Sequence, residues 1–121
     1  MLRGSCLCGG VAYRVDAPVN HASHCYCTMC RKQHGAAAGS YANVPSAGFA
    51  LERGADLVTE YASSEQGRRG FCRICGSTLY WRSEAEPDVV SVTLGTLDPD
   101  YDGPVEREIY TDTKPRWLPV K

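Results

Sequence analysis

Residues 71–77 read FCRICGS, and this stretch is the strongest indicator of the fold. It contains the pattern C-x-x-C followed by glycine, which is typical of the metal-binding knuckle of zinc ribbons. Such a turn directs backbone N–H groups toward the two sulfur atoms, and Gly76 tolerates a backbone conformation that a side chain would resist. The stretch therefore predicts two of the four ligands of a structural metal site.

A second cysteine pair, in residues 6–10 (CLCGG), supplies two more ligands. Side chains two positions apart on an extended segment point to the same side, so we expect the two sulfur atoms to converge. The alternative is a redox pair in CRIC, or buried reduced cysteines; a redox pair normally precedes a helix, whereas GSTLYW is typical of a strand. Metal is therefore favoured, and we predict one closed tetrahedral zinc site from Cys6, Cys8, Cys72 and Cys75.

The three other cysteines lie in residues 24–35, HCYCTMCRKQHG. A zinc ion held by three protein ligands, with one position for water or substrate, is the arrangement of catalytic zinc. A substrate thiol suits that position because zinc is a borderline soft metal and deprotonates a coordinated thiol. We therefore predict a second zinc site, catalytic in character, from Cys25, Cys27 and Cys30.

Spacing alone does not distinguish this three-ligand site from a site that is closed by a fourth protein ligand. His34 follows Cys30 by four positions and could complete a structural shell of three cysteines and one histidine. His24 is less favoured, because neighbours along an extended chain point apart. A closed site would indicate a non-catalytic binding module rather than an enzyme, and a site without metal would indicate a redox role for the exposed thiols.

Four further residues have weaker interpretations. Arg68 and Arg69 lie between glycines just before the knuckle, where they could bind an anionic ligand, although a solvated turn is the favoured interpretation. Tyr26 and Trp81 could form the wall of a pocket, but aromatic residues on strands belong more often to the core.

The whole chain has the length of a single domain, spanning residues 1–121. Its formal charge of −1 gives no reason to expect nucleic acid as a partner, because a basic face is the usual footprint of such binding. We find no signal peptide and no apolar run that could cross a membrane. The seven cysteines are an odd number in three tight groups, which favours metal in a reducing compartment, so we expect a cytoplasmic protein.

Short runs with the two-residue period of strands recur along the chain and are separated by glycine, proline and aspartate. They are GVAYRVDA, GSYANV, LVTEYA, STLYWRS, VVSVTLG and VEREIYT. Only TMCRKQHGAAA, in residues 28–38, is suited to a short helix. We therefore predict a mainly β fold of short antiparallel strands, arranged as a sandwich or barrel, with cysteines at strand ends and turns.

Taken together, these motifs resemble the glutathione-dependent formaldehyde-activating enzyme family, which has the Mss4-like fold. The resemblance rests on five stretches that occur in the family's order and span nearly the whole chain: GSCLCGGVAY, HCYCTMCRKQHG, GFCRICGSTLYW, VTLGTLDPD and IYTDTKPRWLP.

This resemblance implies a β-rich fold with zinc-binding knuckles and two zinc ions in each chain. Cys6, Cys8, Cys72 and Cys75 match the family's structural zinc ligands, and Cys25, Cys27 and Cys30 match the zinc site that is regarded as catalytic. His34 matches no motif residue, which favours the open site. The implied substrates are a thiol such as glutathione and an aldehyde. The implied reaction, of the carbon–sulfur lyase class, is the condensation of glutathione with formaldehyde to S-hydroxymethylglutathione.

Overall fold

A computed structural model describes residues 1–99 and 101–120, so the last residue of VTLGTLDPD lies outside the described residues. In this part of the chain, strands predominate over one short α-helix. Their bounds are β1 Leu2–Ser5, β2 Ala12–Val15, β3 His21–Cys25, α1 Thr28–His34, β4 Gly39–Pro45, β5 Phe49–Arg53, β6 Val58–Ala62, β7 Gly67–Cys72, β8 Thr78–Ser83, β9 Val89–Thr93 and β10 Arg107–Ile109. The predicted mainly β fold is confirmed.

The strands form two sheets. The smaller sheet has the order β1-β2-β5, and the larger sheet has the order β10-β3-β4-β9-β8-β7-β6. Neighbouring strands are antiparallel, as predicted, except that β10 pairs with β3 in parallel. β10 is the last of these strands along the chain. Because it pairs with β3, it covers the edge of the larger sheet that β3 would otherwise expose.

One face of the larger sheet lies in the hydrophobic core. The cross-strand row formed by Ala22, Ala42, Val92, Tyr80 and Gly70 runs across β3, β4, β9, β8 and β7. Its four members other than glycine are buried hydrophobic residues. Ala42, Val92 and Tyr80 belong to one cluster with side chains of the smaller sheet, so the two sheets pack face to face.

Tyr13 anchors the smaller sheet in this core. Its ring is fully buried and tilted against Phe49, with 5.4 Å between the ring centroids. The buried hydroxyl lies 2.7 Å from Thr96 Oγ1, which satisfies its hydrogen bond. This contact ties β2 to the segment that follows β9.

The described helix is far shorter than a bilayer requires, and no helix in the described ranges is long and apolar enough to cross a membrane.

Candidate metal centres and cavity

The structure brings the first four cysteines together. Cys6 and Cys8 lie between β1 and β2, and Cys72 and Cys75 lie at the end of β7 and in the following turn. The four Sγ atoms all lie within 4.8 Å of one another, with Cys6 to Cys8 at 3.6 Å and Cys8 to Cys72 at 3.9 Å. A tetrahedron with zinc–sulfur bonds of about 2.3 Å has edges of about 3.8 Å, so this group fits a zinc ion.

Two knuckle turns produce this convergence. Gly9 has φ of 78° and Gly76 has φ of 81°, a left-handed conformation that favours glycine. Their N–H groups donate to the carbonyl oxygens of Cys6 and Cys72, at 3.0 and 2.8 Å. The expectation that Cys6 and Cys8 share an extended segment was wrong, because β1 ends at Ser5 and the chain turns there. The turn, rather than strand alternation, brings the two sulfur atoms together.

Ser77 links the two knuckles. Its Oγ accepts a hydrogen bond from the N–H of Leu7 at 2.9 Å and lies 3.2 Å from Cys75 Sγ. The hydrogen bond from Ser77 lowers the pKa of Cys75 to about 5, which favours the thiolate that a metal ion requires. The chain then continues into β8 rather than into a helix, as metal binding predicts and a thioredoxin-like redox pair does not.

The second group of cysteines forms where β3 meets α1. Cys25 ends β3, Cys27 is the N-cap of α1 and Cys30 lies in the first turn of that helix. Cys27 Sγ accepts a hydrogen bond from the N–H of Cys30 at 3.3 Å, so a cysteine takes the role that serine or aspartate usually has. The three Sγ atoms lie within 4.8 Å of one another, a spacing that also fits one metal ion.

His34 does not join this second group. No ring nitrogen of His34 lies within 4.8 Å of all three sulfur atoms. Its Nε2 lies 2.9 Å from Tyr41 Oη instead, and burial lowers the pKa of the imidazole, which favours its neutral form. His24 is also engaged elsewhere, with its Nδ1 2.8 Å from Ser40 Oγ. The geometry therefore favours the open three-thiol group over the closed one.

The three thiols line a cavity of about 430 Å³. Its floor is the face of the larger sheet that points away from the core. One cross-strand row crosses this floor on five successive strands and consists of His21, Asn43, Ser91, Trp81 and Arg69. It neighbours the buried core row described above, so strand alternation gives the sheet one apolar face and one partly polar face.

Arg69 is the charged residue of this floor that contacts the thiols directly. It is only 3% exposed, and its Nη1 lies 3.5 Å from Cys30 Sγ and 3.4 Å from Tyr41 Oη. The interpretation of Arg69 as part of a solvated turn was wrong, because residues 67–72 form β7 and turn this side chain inward. The sequence favoured the wrong interpretation because no hydrophobic alternation marks the segment GRRG.

One of the three thiols is more acidic than an ordinary cysteine. A hydrogen bond from Cys25 lowers the pKa of Cys30 to about 4, and the nearby Arg69 guanidinium contributes to the same shift. Of the described residues that line the cavity, none is Asp or Glu. The cavity therefore suits a neutral or anionic ligand better than a cationic one.

The two aromatic candidates have different positions. Trp81 is half-buried and lines the cavity, as the less favoured interpretation had it. Tyr26 is buried next to the cavity rather than in its wall, and its hydroxyl donates to Glu108 Oε2 at 2.7 Å. Ile109 and Tyr110, which sequence reasoning did not single out, contribute to the wall from the end of β10.

The sequence matches a known protein family over most of its length. A family model described as "Glutathione-dependent formaldehyde-activating enzyme" matches residues 1–113. A relative from Halomonas elongata is 32% identical over 130 aligned positions, which cover 100% of this chain and 82% of the relative. That relative is named "Putative glutathione-dependent formaldehyde-activating enzyme".

The fold has a match among solved structures. A crystal structure of a Rhodobacter sphaeroides protein aligns with a TM-score of 0.73 at 24% sequence identity, and the alignment covers 88% of this chain and 98% of that one. The Mss4-like fold class implied by the sequence motifs is confirmed.

Proposed function

The chain belongs to the glutathione-dependent formaldehyde-activating enzyme family, and we propose that it catalyses the reversible addition of a thiol, such as glutathione, to formaldehyde or another aldehyde. With glutathione and formaldehyde the product is S-hydroxymethylglutathione, and the enzyme class is carbon–sulfur lyase. One observation carries the proposal: the group of Cys25, Cys27 and Cys30 lies in the wall of a cavity of about 430 Å³ rather than being completed by His34.

In this proposal the seven cysteines hold two zinc ions in different ways. Cys25, Cys27 and Cys30 hold the catalytic ion, and the other four cysteines hold the structural ion. When bound by three thiolates, zinc supplies a Lewis-acid position that lowers the pKa of a substrate thiol. Three thiolates carry more negative charge than one Zn²⁺ neutralises, and Arg69, 3.5 Å from Cys30 Sγ, offsets the excess.

The cavity provides the other requirements of the reaction. Its volume of about 430 Å³ falls in the range of small-molecule sites. Trp81 and Met29 present apolar surface that displaces water from the reacting atoms, while Ser23, Asn43 and Ser91 offer hydrogen-bonding groups. All seven cysteines are free of disulfides, and we propose the reducing cytoplasm as the compartment.

Substitution of Cys27 by serine tests this function. Cys27→Ser removes one thiolate from the second group without touching the two sheets. We expect the thiol-dependent rate above the spontaneous reaction to fall by about 100-fold or more, while the melting temperature changes little, because metal-assisted activation of the thiol is lost. The measurement is the rate of S-hydroxymethylglutathione formation from glutathione and formaldehyde, with the uncatalysed rate subtracted.

Thr28→Ser is the matched control for this substitution. Thr28 is adjacent in sequence but lines a separate surface depression with Arg31 and Trp117, so this variant keeps the wild-type rate. The proposal is wrong if the wild-type protein, loaded with zinc, gives no rate above the spontaneous reaction with formaldehyde or larger aldehydes.

A further inference from the structure

Arg69 has more hydrogen-bond donors than protein partners. A guanidinium carries five N–H groups. The side-chain hydrogen bonds of Arg69 in the described residues all come from Nη1, which reaches Gln33 Oε1 at 3.1 Å, Tyr41 Oη at 3.4 Å and Cys30 Sγ at 3.5 Å. Nε is buried and has no hydrogen-bond partner among the described residues. Donors are therefore left over on a side chain that lines the cavity.

The charge of Arg69 is also unusual for its depth in the protein. A buried arginine normally pairs with a carboxylate, because an unpaired buried charge costs several kcal/mol. No carboxylate pairs with Arg69 in residues 1–99 and 101–120, and the sulfur nearest to its guanidinium is that of Cys30. By contrast Arg68, one position earlier, is partly exposed and pairs with Glu84 at 2.5 Å. The structure thus keeps a cation with spare donors inside the cavity.

The position of this cation limits which ligand atom it can serve. The guanidinium lies 3.5 Å from Cys30 Sγ. A ligand oxygen bound to this guanidinium would therefore lie close to a substrate thiol held at the group of Cys25, Cys27 and Cys30. The carboxylates of glutathione are several bonds away from its sulfur. The oxygen that comes next to the sulfur during the addition is the carbonyl oxygen of the aldehyde.

We propose that Arg69 is a catalytic residue that donates hydrogen bonds to the carbonyl oxygen of the aldehyde; this inference rests on the proposed function and deepens it. The thiolate sulfur attacks the carbonyl carbon and an S–C bond forms. The C=O π bond breaks, its electron pair moves to oxygen, and this oxygen takes a proton from water to become the hydroxyl of the product. Arg69 stabilises the negative charge that develops on the oxygen, as donors of an oxyanion hole do.

Kinetics of Arg69 variants provide the first test. Arg69→Met removes the donors, and Arg69→Lys keeps the charge but loses the planar fork. We expect kcat/KM for the aldehyde to fall about 100-fold to 1,000-fold in Arg69→Met and less in Arg69→Lys, with the KM for glutathione changed less than threefold. Arg68→Met is the matched control on the same strand and keeps the wild-type values.

A pair of S-substituted glutathiones, neither of which has a free thiol to add to an aldehyde, provides the second test, which does not depend on turnover. S-acetylglutathione carries an oxygen on the carbon attached to sulfur, and S-ethylglutathione has similar size without that oxygen. We expect wild-type protein to bind the acetyl compound about tenfold more tightly in calorimetry. Arg69→Met and Arg69→Lys lose or reduce this preference, and Arg68→Met retains it.

The outcomes separate this inference from the proposed function. Equal binding of the two ligands by wild-type protein, or a preference that survives Arg69→Met, would overturn the role of Arg69. An absence of catalysed addition together with a preference that depends on Arg69 would overturn the proposed reaction and leave Arg69 as an oxygen-binding residue. Zinc content and melting temperature are measured for every variant, and Arg69→Lys decides the test if Arg69→Met fails to fold.

Discussion

Glu60 lies at the centre of a hydrogen-bonded group on the edge of the larger sheet that carries Arg69. Its carboxylate accepts hydrogen bonds from Tyr80 Oη at 2.6 Å, from Arg82 Nε at 2.7 Å and from Arg82 Nη2 at 2.7 Å. These contacts join β6 to β8 across β7, because Glu60 lies on β6 and the other two residues lie on β8. The group therefore holds in place the strand that positions Arg69.

The pH dependence of stability tests this contribution. The hydrogen bonds from Arg82 lower the pKa of Glu60 below its ordinary value of 4.5. Because the folded state has the lower pKa, the stabilisation is complete above about pH 4.5 and is lost as the pH falls through the folded pKa. We expect Glu60→Gln to reduce the free energy of unfolding by about 1 kcal/mol at pH 7, and the difference from wild type to shrink on acidification.

Urea unfolding at a series of pH values measures this difference. Glu86→Gln is the control, since it makes the same charge change on an exposed turn. Loss of metal at low pH would affect all three proteins alike and cancels in the comparison. A difference between wild type and Glu60→Gln that stays constant down to pH 3 would contradict the role given to the ionised carboxylate.

Two neighbouring arginines show where sequence reasoning ends. Arg68 and Arg69 occur in GRRG, where no apolar neighbour reveals which side of the strand is buried. Strand alternation requires them to face opposite ways, but only the pairing with β6 and β8 determines which one faces the cavity. The cysteines were easier to place, because metal coordination demands both a residue type and a spacing, whereas a buried arginine demands neither.

Residues 107–113 form a strap across the outside of the cavity, to which Ile109 and Tyr110 contribute. β10 pairs with β3 in parallel, placing Ile109 opposite Cys25. Thr113 Oγ1 then donates to the carbonyl oxygen of Tyr26 at 2.7 Å, and Arg31 Nη1 donates to the carbonyl oxygen of Thr113 at 3.0 Å. These two hydrogen bonds attach the strap to residues on both sides of Cys27. The degree to which the strap is ordered therefore affects the wall of the cavity.

Removal of one hydroxyl should loosen this strap. We expect Thr113→Val to raise the rate of backbone amide exchange in residues 107–113 and to lower stability by about 1 kcal/mol, because the carbonyl of Tyr26 loses its partner. Hydrogen–deuterium exchange followed by mass spectrometry measures the change segment by segment. Thr111→Val is the control on an exposed position of the same strap, and equal effects of the two variants would argue against this hydrogen bond.

The strand elements were predictable to different degrees for physical reasons. The six alternating runs all contain strands, because branched and aromatic side chains indicate a half-buried sheet. β1, β3, β5 and β7 were missed, since LRGS, HASHC, FALER and GRRGFC combine charges, glycine or cysteine with few β-branched residues. Tertiary pairing makes them strands, and the parallel partner of β10 likewise depends on contacts that local sequence does not specify.

The two groups of cysteines have different places in the whole molecule. The first joins the turn after β1, in the smaller sheet, to the end of β7, in the larger sheet. The second joins β3 to α1, which are already adjacent in sequence. A metal ion in the first group therefore crosslinks segments more than 60 residues apart, as the sequence separation of Cys8 and Cys72 shows. A metal ion in the second closes only a local loop, so the two ions should differ in their effect on folding.

Stepwise removal of metal tests this division. We expect about two zinc ions per chain, and a chelator should first remove the ion of the three-thiol group with little change in melting temperature, because three protein ligands bind more weakly than four. Loss of the second ion should unfold the protein, since the binding free energy of a structural zinc ion, on the order of 10 kcal/mol, becomes part of the folding free energy.

A matched pair of variants assigns the two steps. Cys27→Ser should contain one zinc ion and keep a melting temperature close to that of wild type. Cys72→Ser should melt at a much lower temperature, because a fully buried sulfur that joins the two sheets is lost. Elemental analysis and thermal melts, with and without chelator, measure both quantities. Equal destabilisation by the two substitutions would show that the three-thiol group is as structural as the four-thiol group, and would weaken its assignment to substrate chemistry.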